Sequence, residues 1–179
     1  MMVDENGIRT EFMFLLSDRR DERRREAAGR IAGSGVPGAG TLAEAGLKIA
    51  SVLHEGGRPE VLAEALDALR KLPMTDYWHP FIEAAGEAVL GRAIAGPAGP
   101  RKELLRHGLE MVAMALSSGF PVSNHTMELV EQAKADGELA ASAGFLIEKN
   151  SALMPHGEAL RAFRKKATQP GKERGKAAR

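Results

Sequence analysis

The chain has 179 residues, of which 44% are hydrophobic, 27% charged and 4% aromatic, with a formal net charge of +1. This length favours one domain that buries roughly 70% of the surface its unfolded chain exposes, and the absence of Cys excludes disulfides, thiolate nucleophiles, zinc knuckles and iron–sulfur ligation. With few aromatic or β-branched runs a sheet is not expected, and the core falls to Ala, Leu, Val, Ile and Met.

The first predicted helix runs from Gly7 to Ala32. It opens on Ile8, Phe12, Leu15 and Leu16, spaced for one helical face, and continues into Asp18 to Glu26, a mixture of both charge signs expected to form a solvated face. Gly33 to Gly40 is a breaker cluster, after which Thr41 stands at an N-cap position and a helix from Leu42 to His54 is predicted. Gly56 and Gly57 end that helix. Pro59 then occupies a first-turn position, and Val61, Leu62, Ala65, Leu66, Leu69 and Leu72 form an apolar stripe.

Pro73 to His79 reads as a turn, capped by Thr75 or Asp76, and Pro80 opens a helix to about Ala95. A second breaker cluster, Gly96 to Pro100, precedes a helix from Arg101 to Ser117. Pro121 and Ser123 introduce the next, through Met127 and Val130 to about Ala135. Asp136 and Gly137 separate it from a helix near Leu139 to Lys149, which Asn150 and Ser151 should stop, and Pro155 should begin a last helix that fades near Ala167. Residues 168–179 lack an apolar period and are expected to be disordered. The organisation expected is a charged helix and Gly-rich linker over 1–40, a helical core over 41–167 and a basic tail over 168–179. The fold class predicted is all-α, six to eight short antiparallel helices arranged as a helical-hairpin bundle or a short helical-repeat stack.

A shift of 62 residues aligns Leu42, Gly46, Leu47, Gly57 and Pro59 with Leu104, Gly108, Leu109, Gly119 and Pro121. Each segment reads as helix, glycine stop, proline start, helix, and two hairpins of similar construction are implied. A helix-interior glycine costs about 1 kcal/mol relative to Ala, so the matched Gly46 and Gly108 point to close helix contact.

Chemistry-bearing patterns are sparse. Gly33-Ser34-Gly35-Val36-Pro37-Gly38 matches G-x-G-x-x-G in form, but no strand precedes it, Pro37 removes a backbone donor and no Lys-Ser or Lys-Thr follows; it reads as a flexible linker. The five histidines, His54, His79, His107, His125 and His156, include no Glu-x-x-His pair of the kind that binds metal in helical bundles, so neither a metal nor a cofactor is expected. No nucleophile elbow occurs, although counting residues does not exclude a Ser–His–acid triad. The stretch Ala115 to Met127 has a loose helix-turn-helix cadence, but its second helix carries Glu128, Glu131 and Asp136, which phosphate repels.

The longest charge-free stretch near the middle, Met111 to Asn124, falls short of the roughly 20 apolar residues a membrane span requires. The apolar cluster Phe12 to Leu16 is followed by charges rather than a cleavage site, so no export signal is read and a cytoplasmic location is expected. Two features address partners. Tyr77, Trp78, His79 and Phe81 gather the sole Trp and the sole Tyr in one inter-helix turn, a composition enriched at protein-binding hot spots. From Arg161 onward eight Lys or Arg residues face Glu173 alone; Arg161, Arg164, Lys165, Lys166, Lys172 and Arg174 form a segment suited to nucleic acid by counterion release. The functional expectation is a non-catalytic helical adaptor, scaffold or regulatory module that binds another protein or itself. The alternative is a nucleic-acid-associated protein acting through the basic C-terminal segment.

Overall fold

The computed structural model describes residues 5–72 and 77–167, with side chains for 7–72 and 77–155. These residues form eight helices and no strand: α1 (Glu5–Ser17), α2 (Asp21–Ala32), α3 (Ala39–His54), α4 (Val61–Arg70), α5 (His79–Ala95), α6 (Ala98–Leu116), α7 (Asn124–Ala133) and α8 (Ala140–Ala167). The fold is all-α. Thr75 and Asp76, the expected caps before α5, lie outside the described residues.

The expected helix over Gly7 to Ala32 is broken in two. The Asp18 carboxylate accepts the backbone N–H of Arg20 at 2.7 Å and clasps its guanidinium at 2.7 and 3.0 Å, a local bond that competes with the helical ladder. Those bonds from Arg20 hold the Asp18 carboxyl down at about 2. The turn folds α2 back against both α1 and α3. The charged face is consequently not all solvated: Arg24 is 1% exposed, donates to the Asp18 carbonyl at 3.0 Å, pairs with Glu55 and lies 3.6 Å from Asp21. A guanidinium carries enough donors for all three acceptors.

Ile8, Phe12, Leu15, Ala27 and Ile31 are buried in the same core as the later helices, so the core begins well before residue 41. The Gly-rich connection is packed, not free. Gly38 has φ +89° and is the residue before α3, and a Cβ there would lie 3.0 Å from Leu72 and 3.1 Å from Trp78; glycine alone takes that conformation without strain and leaves room for the indole. This start moves α3 three residues ahead of the expected Leu42 and leaves Thr41 inside the helix.

Two other boundaries differ for tertiary reasons. Asn150 does not stop α8, because its side chain is committed elsewhere, accepting the Val122 N–H at 2.9 Å. The helix instead runs on through Pro155. The 62-residue correspondence also fails in space: α3 and α4 pack on each other as a hairpin, whereas α7 lies against α5 and α8. The left-handed glycines that end the first member of each pair are Gly56 and Gly119, one residue out of the aligned register.

The expected close contacts at Gly46 and Gly108 are present. A Cβ on Gly46 would sit 2.9 Å from Leu15 and Phe12, and one on Gly108 would sit 2.7 Å from Leu90. Gly86 makes the reciprocal approach, with Met111 and Val112 at 3.1–3.2 Å from the same hypothetical atom. The α5–α6 pair is therefore packed at a separation that only glycine allows on these faces. Gly108→Ala should lower the unfolding free energy by about 1–3 kcal/mol through overpacking. Gly29→Ala, in α2 with nothing within 4 Å, should raise it by up to about 1 kcal/mol; urea denaturation monitored by circular dichroism checks both.

Candidate functional site

Three of the four aromatic-corner residues, Tyr77, Trp78 and Phe81, close on one another, while His79 faces Phe120. Tyr77 meets Trp78 edge-on at 4.7 Å and Phe81 at 5.7 Å, Trp78 lies 5.6 Å from Phe81, and Phe81 reaches Phe12 of α1 at 5.7 Å. Trp78 is 4% exposed, Phe81 3% and His79 8%, with Tyr77 half-buried. The rings turn inward because the bare backbone of Gly38 receives Trp78. This corner is a plug that joins α1, α3 and α5, with Trp78 and Phe81 buried in it and Tyr77 partly exposed.

His79 belongs to a buried polar network whose bonded partners lie up to 43 positions apart in the chain, beyond the reach of local sequence patterns. Its Nδ1 lies 2.8 Å from the Ala115 carbonyl and 2.8 Å from the Ser118 hydroxyl, which itself donates to the Ala115 carbonyl at 2.7 Å. Its Nε2 lies 3.2 Å from the Pro121 carbonyl and 3.5 Å from Glu83. Acceptors thus face both nitrogens, one of them at the negative end of α6. Burial opposes the charge on His79, but Glu83 and the two carbonyls outweigh it and raise its pKa above the ordinary 6.5. Glu83 is pushed up by burial and brought back below its ordinary 4.5 by His79, by the Ser123 N–H and hydroxyl, and by Thr126.

The structure therefore brings a serine, a histidine and a carboxylate together, though not as a nucleophilic relay. The Ser118 hydroxyl donates to the Ala115 carbonyl, so its proton is not directed at the imidazole. The group works as a clip: His79 and Glu83, one turn apart on α5, hold the α6–α7 connection from both sides. Ser123 caps α7 by accepting the Thr126 N–H, and donates its own backbone N–H to Glu83 at 2.6 Å. The Thr126 hydroxyl lies between Glu83 and Glu87, at 3.1 and 3.2 Å.

Glu87 links this clip to a groove of about 720 Å³. One wall is α5, which offers Ala84, Ala88 and Gly91 at helical spacing. Met13 and Leu16 of α1, Leu53 at the end of α3 and Leu129 of α7 complete an apolar lining. Met13 is 48% exposed there, and nothing lies within 4 Å of a Cβ built on Gly91. At the polar edge His125 pairs with Glu87 at 3.5 Å, while His54 is occupied by the Leu16 carbonyl at 2.8 Å. Arg19 and Arg92 also line the groove, and neither has an ion-pair partner among the described residues. The volume falls in the range of ligand-binding clefts. The missing side chain at Gly91 was visible in the sequence, but nothing there distinguished it from a helix-packing glycine.

Of the basic segment, Arg161, Arg164, Lys165 and Lys166 lie on the backbone of α8 with side chains outside the described set, and Lys172 and Arg174 lie outside the described residues altogether. Among the described residues no three His, Asp or Glu side chains gather as a metal site, and no helix is long and apolar enough to cross a membrane. No protein-family model, curated protein or solved structure matches the chain.

The clip carries a pH signature with a definite sign. The His79 contribution is complete below 6.5 and fades as pH rises through its raised value; the Glu83 contribution is complete above 4.5 and fades as pH falls through its lowered value. The stability lost in His79→Gln should be greatest near pH 5.5, at about 2 kcal/mol for a charge-assisted pair, and smaller at pH 9. Thermal unfolding of both proteins across that range reads the difference.

Proposed function

We propose that the chain is a non-catalytic binding module whose groove between α1, α3, α5 and α7 receives an acidic amphipathic helix from a partner protein. The observation that carries this reading is the α5 wall, small and partly bare at Ala84, Ala88 and Gly91, flanked by the guanidiniums of Arg19 and Arg92, which have no ion-pair partner among the described residues. Small side chains allow a second backbone to approach closely, and the wall from Ala84 to Arg92 spans about 12 Å, or two helical turns. An incoming helix would lay apolar anchors at i, i+3 or i+4, and i+7 against Met13, Leu16, Leu53 and Leu129. Its carboxylates would meet Arg19 and Arg92. Such a module acts as an adaptor or regulator by occupancy alone.

A selection of displayed helical peptides against the folded protein tests the reading. The expected winners combine that apolar spacing with Asp or Glu at one end. Their affinity should fall at least about tenfold in Gly91→Phe, which fills the groove, and in the Arg19→Glu, Arg92→Glu double variant. Selected peptides that bind all three proteins equally would overturn it.

The second reading, nucleic-acid binding through Arg161, Arg164, Lys165, Lys166, Lys172 and Arg174, is supported by the concentration of eight cations against one anion from Arg161 onward. It requires retention of DNA or RNA in a filter-binding titration that drops steeply between low and moderate salt. Salt-independent or absent retention removes it.

A further inference from the structure

The Ala115 carbonyl, in the last turn of α6, gathers three contacts in one place. The Ser118 N–H reaches it at 3.2 Å, the Ser118 hydroxyl at 2.7 Å, and the His79 Nδ1 lies 2.8 Å away. A carbonyl oxygen has two lone pairs, so this end of α6 hangs on a crowded acceptor whose two shortest partners are side chains. Across the imidazole ring, Nε2 faces the Pro121 carbonyl at 3.2 Å and the Glu83 carboxylate at 3.5 Å. Two ring protons satisfy both sides at once. One ring proton leaves a side without its donor.

We infer that His79 and Ser118 form a proton-operated catch on the α6–α7 connection: when the imidazole gives up a proton, the Ser118 hydroxyl turns from the Ala115 carbonyl to Nδ1, and the last turn of α6 is released while the helices stay packed. The remaining proton stays on Nε2, because Glu83 is the anionic acceptor at the ring and a hydrogen bond to a charged acceptor is the stronger one. Nδ1 then turns a lone pair on the Ala115 carbonyl, acceptor against acceptor. Ser118 relieves that contact, since its oxygen lies 2.8 Å from Nδ1 and a hydroxyl hydrogen rotates to suit either neighbour. One proton passes to water and one hydroxyl reorients; no covalent bond of the chain changes. The Ala115 carbonyl keeps only the Ser118 N–H, the longest of its three contacts.

The surroundings of the ring set the conditions for release. Glu83, on the same helix as His79, faces it directly. The end of α6 and the connection present the Ala115 and Pro121 carbonyls, the Ser118 hydroxyl and the Phe120 ring, whose centroid is 5.9 Å from the imidazole. From α7, Ser123 and Thr126 reach Glu83 rather than His79, and Glu87 and His125 connect only through Thr126. The raised His79 pKa places the release on the alkaline side of the ordinary imidazole value of 6.5. Gly119 follows the catch at φ +86°, with open space around its Cβ position, so the freed turn has room to move. Release is a local opening of the kind that costs less than global unfolding, and it does not depend on what the α5 groove receives.

Nitrogen-resolved NMR titration of the histidine rings in the full chain, combined with amide hydrogen exchange, tests the catch. Neutral His79 is expected as the Nε2–H tautomer. Protection of the Ser118 amide, corrected for the intrinsic rate, should fall at least about tenfold between about pH 5.5 and about pH 9, as for the loss of a hydrogen bond to a charged group. Amides of α3 such as Ile49 and Ala50 should keep theirs. Ser118→Ala removes the donor that serves the neutral ring and should move the His79 midpoint upward. Ser117→Ala, whose exposed hydroxyl donates to the Met114 carbonyl at 2.5 Å, should leave it where it is. Neutral His79 carrying its proton on Nδ1 overturns the inference. A midpoint that falls or stands still in Ser118→Ala also overturns it, as does Ser118 protection that is constant across the titration or is lost together with that of α3.

Discussion

The antiparallel approach of α5 and α6 is the constraint on which the remaining architecture rests. Gly86 sits against Met111 and Val112, and Gly108 sits against Leu90, so each helix yields its side chain where the other's backbone arrives. Dispersion between the two surfaces grows steeply as the gap closes, and the exposed backbone cost of each glycine is repaid by that contact. The separation then determines where Ala115 and Pro121 place their carbonyls relative to α5, and hence whether His79 can bridge them. A wider spacing would leave the imidazole with no second acceptor.

With α6 fixed on one side, α5 has its opposite side free to organise the other helices. Phe81 reaches Phe12, Glu83 holds Ser123 and Thr126, and Glu87 holds His125, all within two turns. The clip therefore orders the edge of the groove as well as the α6–α7 connection. The groove is a consequence of what α5 lacks at Ala84, Ala88 and Gly91, beside Met13 and Leu16 of α1, Leu53 of α3 and Leu129 of α7. Polar groups that are already paired, such as His54 and Glu87, shape this recess, and Arg19 and Arg92, without an ion-pair partner among the described residues, stand at its lining.

Much of the helical grammar was legible in the residues. Pro80 after a turn, Ser123 before an apolar run and the stripe from Val61 to Leu72 are local signals, and local signals decide where a helix can begin and which side it buries. The pairing of Gly46 and Gly108 was also readable, since an interior glycine is costly without a close neighbour. Other outcomes depended on residues far apart in the chain. Asp18 broke the first helix by a local bond, yet Arg24 became buried only because Glu55 stands at the end of α3. Asn150 read as a stop until Val122 supplied a donor for its side chain, and the burial of Trp78 in its corner depends on the distant Gly38. The sequence by itself determined that this protein is a set of amphipathic helices with these polar and apolar faces, because periodicity and capping are properties of neighbours. Only the tertiary structure decided which polar groups are clipped inside and which small faces are left open, because those depend on what a distant segment brings within hydrogen-bonding or van der Waals reach.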